Sequence, residues 1–148
     1  MMLRINFFET ENGFDTRAIQ GGVYQVELLM EGKESICLYI GESVWIASRC
    51  GKHLYSLFES PEYFGLTSDD LRNDELILKF SVVNDIHGKK SELGVGSYKS
   101  YKEQELEAIK KYEPLTQLNT SDRQIHDMQK KINIVQEKMI KNGFKEFK

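Results

Sequence analysis

Cysteine, proline and histidine are all scarce in this 148-residue chain, at two, two and three residues. Two prolines and eleven glycines are too few for a low-complexity or disordered chain. Cys37 and Cys50 cannot make a disulfide framework, and a structural zinc site would need most of the histidines as well. No apolar run approaches the roughly 18 to 20 residues that span a bilayer. The first twenty residues, MMLRINFFETENGFDTRAIQ, lack the basic start and long apolar stretch of a signal peptide. These absences lead to the expectation of a soluble, cytoplasmic protein with free thiols and no membrane partner. Its 40% hydrophobic content suffices for one modest core.

Charge of either sign is plentiful but unevenly spread. The net charge is −3. Residues 121–148 carry seven Lys and Arg against four Asp and Glu, so the basic excess sits in the tail. Any phosphate contact elsewhere has to come from local placement.

The order of elements predicts a small α/β (α+β) domain. LRINFF at 3–8 reads as a short strand. GVYQVELLME (22–31) and SICLYIGES (35–43) read as a hairpin joined at Gly32-Lys33. A helix is expected over 45–59, stopping before Pro61, then a short helical segment at TSDDLRND and a strand at 76–83. The polar stretch 84–96 is a loop, and 97–112 is a helix ending near Pro114. A last helix spans 121–142, with Ser121 or Asp122 as N-cap and Gly143 as its stop. The expected organisation is an extension at 1–21, a core at 22–120 built on a three-stranded, mainly antiparallel sheet flanked by helices, and a helical tail at 121–148.

In the hairpin, facing positions sum to 65, so Tyr24 lies opposite Gly41 and Tyr39 opposite Val26. The two tyrosines are then diagonal neighbours on one face, and Gly41 leaves room for the Tyr24 ring. The bland reading is a pair of strand aromatics packed for stability. On the following helix Arg49 and His53 are four apart and share a face, at the edge of the stripe Ile46, Cys50, Leu54, Leu57. Lys52 points further toward solvent. An ordinary amphipathic helix with a basic flank reads the same way.

Glu105 is the most informative position. Helical spacing puts Tyr98, Tyr101, Ala108, Ile109 and Tyr112 on one stripe with Glu105 in its middle, while Glu103 and Glu107 point away. A carboxylate there is costly unless paired or bound to a cation; an ion pair with Arg49 is the competing explanation. Asn119 is equally a turn or capping residue. His87 and His126 read as surface residues, and the two cysteines as small core residues. In the last helix Ile125, Met128, Ile132, Val135 and Met139 make a stripe to be covered by the domain or by a second copy of the chain.

Gly22-Val23-Tyr24 followed by Tyr39-Ile40-Gly41 resembles the pair of motifs that names the GIY-YIG nucleases. Arg49 with His53, then Glu105 in Glu-x-x-x-Ile-x-x-x-x-Pro, then Asn119 follow in the family's order. The resemblance covers residues 22–119. Val23 stands for the usual isoleucine, Glu42 follows Gly41 where many members are basic or neutral, and two residues are inserted between Pro114 and Asn119.

The resemblance implies hydrolysis of DNA phosphodiesters with one divalent metal. Glu105 would hold Mg²⁺ or Mn²⁺, and Arg49 would clamp the phosphate. Tyr24 or Tyr39 would take the proton from water, with His53 as the alternative acceptor; Tyr24 is favoured because it faces Gly41. Gly41, Lys52 and Asn119 would complete the substrate contacts. A non-catalytic DNA-binding or protein-interaction module on the same scaffold is the other reading.

Overall fold

Two strands, β2 (Gly22–Leu29) and β3 (Ile36–Ser43), form the hairpin on which the molecule is built. The computed structural model describes residues 1–7, 13, 16–83, 97–117 and 127–146, the side chains of 16, 17 and 97–100 excepted. Tyr24 pairs with Gly41 and Val26 with Tyr39, the register expected. Beyond Val26 the register shifts, so that Glu27 pairs with Cys37 and Leu28 with Ile36. Leu38 is the extra residue of this bulge. It changes the parity of β3, so Ile36, Leu38 and Tyr39 all enter the same core cluster while Ile40 joins the cluster on the other face. The connection is longer than a two-residue turn. Lys33 N–H donates to the Met30 carbonyl at 3.0 Å, with Gly32 at φ 73° supplying the left-handed position.

The sheet has four strands rather than three, in the order β1-β4-β2-β3. β4 (Ile77–Val82) is antiparallel to β2, and β1 (Met2–Ile5) lies parallel to β4. β1 is short, and only Ile5 among its residues is even half-buried. Such a strand has no alternating apolar face to announce its pairing, and backbone bonds such as Met2 N–H to Leu76 O at 2.8 Å hold it. It completes an α+β domain with a mixed sheet.

Helix α1 (Ile46–Glu59) buries Ile46, Cys50, His53 and Leu57. Ile46, Cys50 and Leu57 share a cluster with Tyr24, Val26, Leu28 and Leu38 of the sheet. Helix α2 (Ser68–Leu71) is one turn, closed by a capping box between Thr67 and Asp70. Helix α3 (Ser97–Tyr112) covers the opposite face, where Ala108 and Ile109 meet Val23 and Ile40. The segment after it lies along the β3 edge. Leu115 and Thr116 N–H groups donate to the Cys37 and Leu38 carbonyls, each at 3.1 Å, which covers an edge otherwise open to pairing.

Helix α4 (Met128–Lys141) starts later than the spacing predicts. Asp127 is extended and caps it, accepting from Lys130 N–H at 3.1 Å; Ser121 and Asp122 lie outside the described residues. Its end is as expected. Gly143 at φ 79° and Phe144 return their N–H groups to Ile140 and Met139 carbonyls. Lys131, Val135 and Met139 are buried, with Val135 and Met139 in the main core, while Met128 is 44% exposed. The chain itself thus covers Val135 and Met139 of the stripe, and Ile125 lies outside the described residues. Among the described residues no helix is long and apolar enough to cross a membrane.

Candidate active site

Three rings converge where β2, β3 and α1 meet. The Tyr24 hydroxyl lies 2.6 Å from Nε2 of His53, a buried hydrogen bond. Tyr39 stands with its ring centroid 5.0 Å from His53 and 6.2 Å from Tyr24. The hairpin register puts both tyrosines on the α1 face, and Gly41 makes the packing feasible. A β-carbon at Gly41 would lie 2.6 Å from Tyr24 Cζ and 2.8 Å from Tyr39 Cε1, closer than atoms tolerate.

His53 is not at the edge of its helical stripe but inside it, at 3% exposure, enclosed by Phe64 at 5.5 Å and Phe80 at 6.4 Å. The stripe is wider than the spacing suggested because aromatic rings from later in the chain close over it. Burial and the nearby Arg49 charge push the His53 pKa down to about 4, so the imidazole is neutral at pH 7. In the tautomer protonated on Nδ1, Nε2 accepts from the Tyr24 O–H; in the other it donates to the phenol oxygen.

Arg49 is exposed, one turn before His53. With Tyr39, Lys52, His53, Ser56 and Tyr63 it lines an open depression of about 290 Å³. The Arg49 charge opposes the effect of burial on Tyr24, Tyr39 and Tyr63, so the guanidinium is within electrostatic reach of all three phenols. Burial wins for each, and their pKa values lie above the ordinary tyrosine value. Tyr24 is 1% exposed, and its hydroxyl is turned onto His53. Tyr39 is the tyrosine of the motif that opens on the depression, where the Arg49 charge lowers its pKa against the effect of burial.

Glu105 is 8% exposed on α3, with Glu103 and Glu107 in solvent as the spacing requires. Its charge is close enough to Tyr39 to raise that phenol further. Among the described residues no three His, Cys, Asp or Glu side chains gather into a metal-binding group. A hard divalent cation, which accepts one carboxylate plus waters and phosphate oxygens, is compatible with Glu105 alone.

Asn119 lies outside the described residues, as do His87 and His126. Two residues before Asn119, Gln117 makes a paired contact that the sequence did not signal. Its Oε1 accepts from Ile40 N–H at 2.8 Å and its Nε2 donates to Ile40 O at 2.6 Å. That fixes the backbone between Tyr39 and Gly41. Tyr63 was also missed, because it comes from the 3₁₀ turn Pro61–Phe64, too short to show any period. Cys50 is buried and Cys37 half-buried, and burial raises both thiols to about 12, which leaves them inert.

Comparison with family models, with curated proteins and with solved structures returned no match to this chain.

Proposed function

We propose that the protein is a metal-dependent DNA endonuclease that hydrolyses phosphodiesters in the manner of the GIY-YIG nucleases it resembles. The observation that carries this reading is the Tyr24–His53 hydrogen bond of 2.6 Å, set behind Tyr39 at a depression that also holds Arg49 and Lys52. A guanidinium and an ammonium suit a phosphodiester, and Arg49 would stabilise the charge that grows on it during attack. A free phenolate would be costly here, since burial raises both tyrosines. The proton of the attacking water would pass to Tyr39, where the Arg49 charge offsets part of that cost. Glu105 would hold Mg²⁺ or Mn²⁺, which when bound polarises a phosphate oxygen and the leaving group.

Incubation of the purified protein with supercoiled plasmid tests the reading. Nicked or linear DNA is expected with Mg²⁺ or Mn²⁺, not with EDTA, and not from Arg49→Ala. A folded protein that binds DNA yet never cuts it with either metal would overturn the enzyme reading in favour of a binding module.

A further inference from the structure

Tyr63 belongs to no motif of the sequence, yet it forms one wall of the depression that Arg49, Lys52 and Tyr39 also line. Its ring centroid is 5.9 Å from His53 and 4.9 Å from Phe64. The Tyr63 phenol also acts on Tyr24 and Tyr39, raising both; Tyr39, Tyr63 and Arg49 line the depression, with Tyr24 buried behind them.

The turn that carries Tyr63 is held from behind by α4. Lys131 is a charged residue only 7% exposed. Its Nζ donates to the Tyr63 carbonyl at 3.2 Å and stands 4.9 Å from the centre of the Tyr63 ring. One ammonium therefore fixes both the backbone and the ring of the same residue. Gly65 closes the turn at φ 73°, and a β-carbon there would meet Val135 Cβ and the Lys131 carbonyl, each at 2.7 Å. Gln136 Nε2 donates to the Gly65 carbonyl at 3.0 Å. A buried lysine loses hydration that its contacts have to replace, so its placement needs a reason.

We infer that Tyr63 donates its hydroxyl to a non-bridging oxygen of the scissile phosphodiester, and that Lys131 positions it for that contact. The inference rests on the nuclease reading and brings α4 into the support of the site. Burial raises the Tyr63 pKa, which keeps the phenol protonated as a donor, while Arg49 beside it supplies the charge. A cation near the ring withdraws electron density from the phenol and strengthens its O–H as a donor. The phosphate gains negative charge on the way to its transition state, so the contact strengthens there and acts on kcat more than on binding.

The test is single-turnover nicking of plasmid by the full chain with Mg²⁺, together with affinity for a short duplex and melting temperature. Tyr63→Phe removes one oxygen and keeps the ring and the Lys131 contact. Its kcat is expected to fall at least about tenfold, with affinity and melting temperature close to the parent's. Lys131→Met is expected to lose kcat as well, Lys131→Arg to regain most of it, and Tyr63→Phe/Lys131→Met to be no slower than Tyr63→Phe alone. A merely structural lysine would add its effect to that of Tyr63→Phe and shift melting instead. Parent-rate nicking by Tyr63→Phe overturns the inference and leaves the nuclease reading standing. A parent protein that does not nick overturns both.

Discussion

The Tyr24 hydroxyl is hydrogen-bonded to His53 Nε2 inside a shell of aromatic rings, and Arg49 one turn away keeps a positive charge beside it. The hydrogen bond therefore exists with a neutral imidazole. In the unfolded chain that imidazole titrates near 6.5, and in the folded one near 4. Between those values the unfolded state binds the extra proton. The contribution to stability is complete above about pH 6.5 and is lost as pH falls through 4, by about 3 kcal/mol in all. Urea unfolding of the parent and of His53→Gln at pH 7, 5.5 and 4.5 checks this. The parent should lose stability faster on acidification, and parallel losses would remove His53 as the source.

Gly41→Ala should destabilise the domain by about 1–3 kcal/mol, because the new methyl group displaces the Tyr24 and Tyr39 rings that pack over that position. Nicking should fall with it, since both phenols move. Denaturant midpoints and plasmid nicking measure the two effects. An alanine variant as stable as the parent would mean that the rings do not close over Gly41.

Gln117→Ala leaves the N–H and C=O of fully buried Ile40 without their partners. A cost of about 2–3 kcal/mol is expected, from one to two unsatisfied backbone groups. Hydrogen exchange at the Ile40 amide should accelerate more than at Val26, which the sheet protects from both sides. Equal acceleration at both would indicate global loosening in place of a freed edge.

What the sequence disclosed depended on whether a residue's position follows a local period. The two-residue period of β2 and β3 placed Tyr24, Tyr39 and Gly41 together, because that part of the hairpin is regular up to the bulge. The 3.6-residue period separated Glu105 from Glu103 and Glu107 for the same reason. The depth of His53 was hidden, since Phe64 and Phe80 cover it from distant segments. β1 was hidden as a sheet member because it pairs with a strand more than seventy residues away and buries little. Gln117 and Tyr63 act through tertiary contacts that no spacing encodes. The apolar stripe of α4 was visible, but Lys131 within it was not, because a lysine reads as solvent-facing until its partner is known.

Glu105→Ala should abolish nicking while DNA binding survives or improves. The carboxylate is 8% exposed on the helix face that also buries Ala108 and Ile109, and its charge raises the pKa of Tyr39. As a metal ligand it would act on the transition state, by holding the cation that offsets charge on the phosphate. Removing an anion from beside a polyanion takes away repulsion when no metal is bound, so ground-state affinity in EDTA should not fall. A purely structural ion pair predicts a different pattern, because stranding its buried partner costs about 3–5 kcal/mol of stability. Melting temperature separates the two. A variant that melts close to the parent, binds duplex DNA in EDTA and fails to cut with Mg²⁺ supports the ligand role. One that folds and cuts at the parent rate eliminates it. Glu105→Gln resolves the remaining case, in which the alanine variant melts much lower: glutamine keeps the side chain's length and hydrogen bonding, so a folded but inactive Glu105→Gln again assigns the negative charge to catalysis.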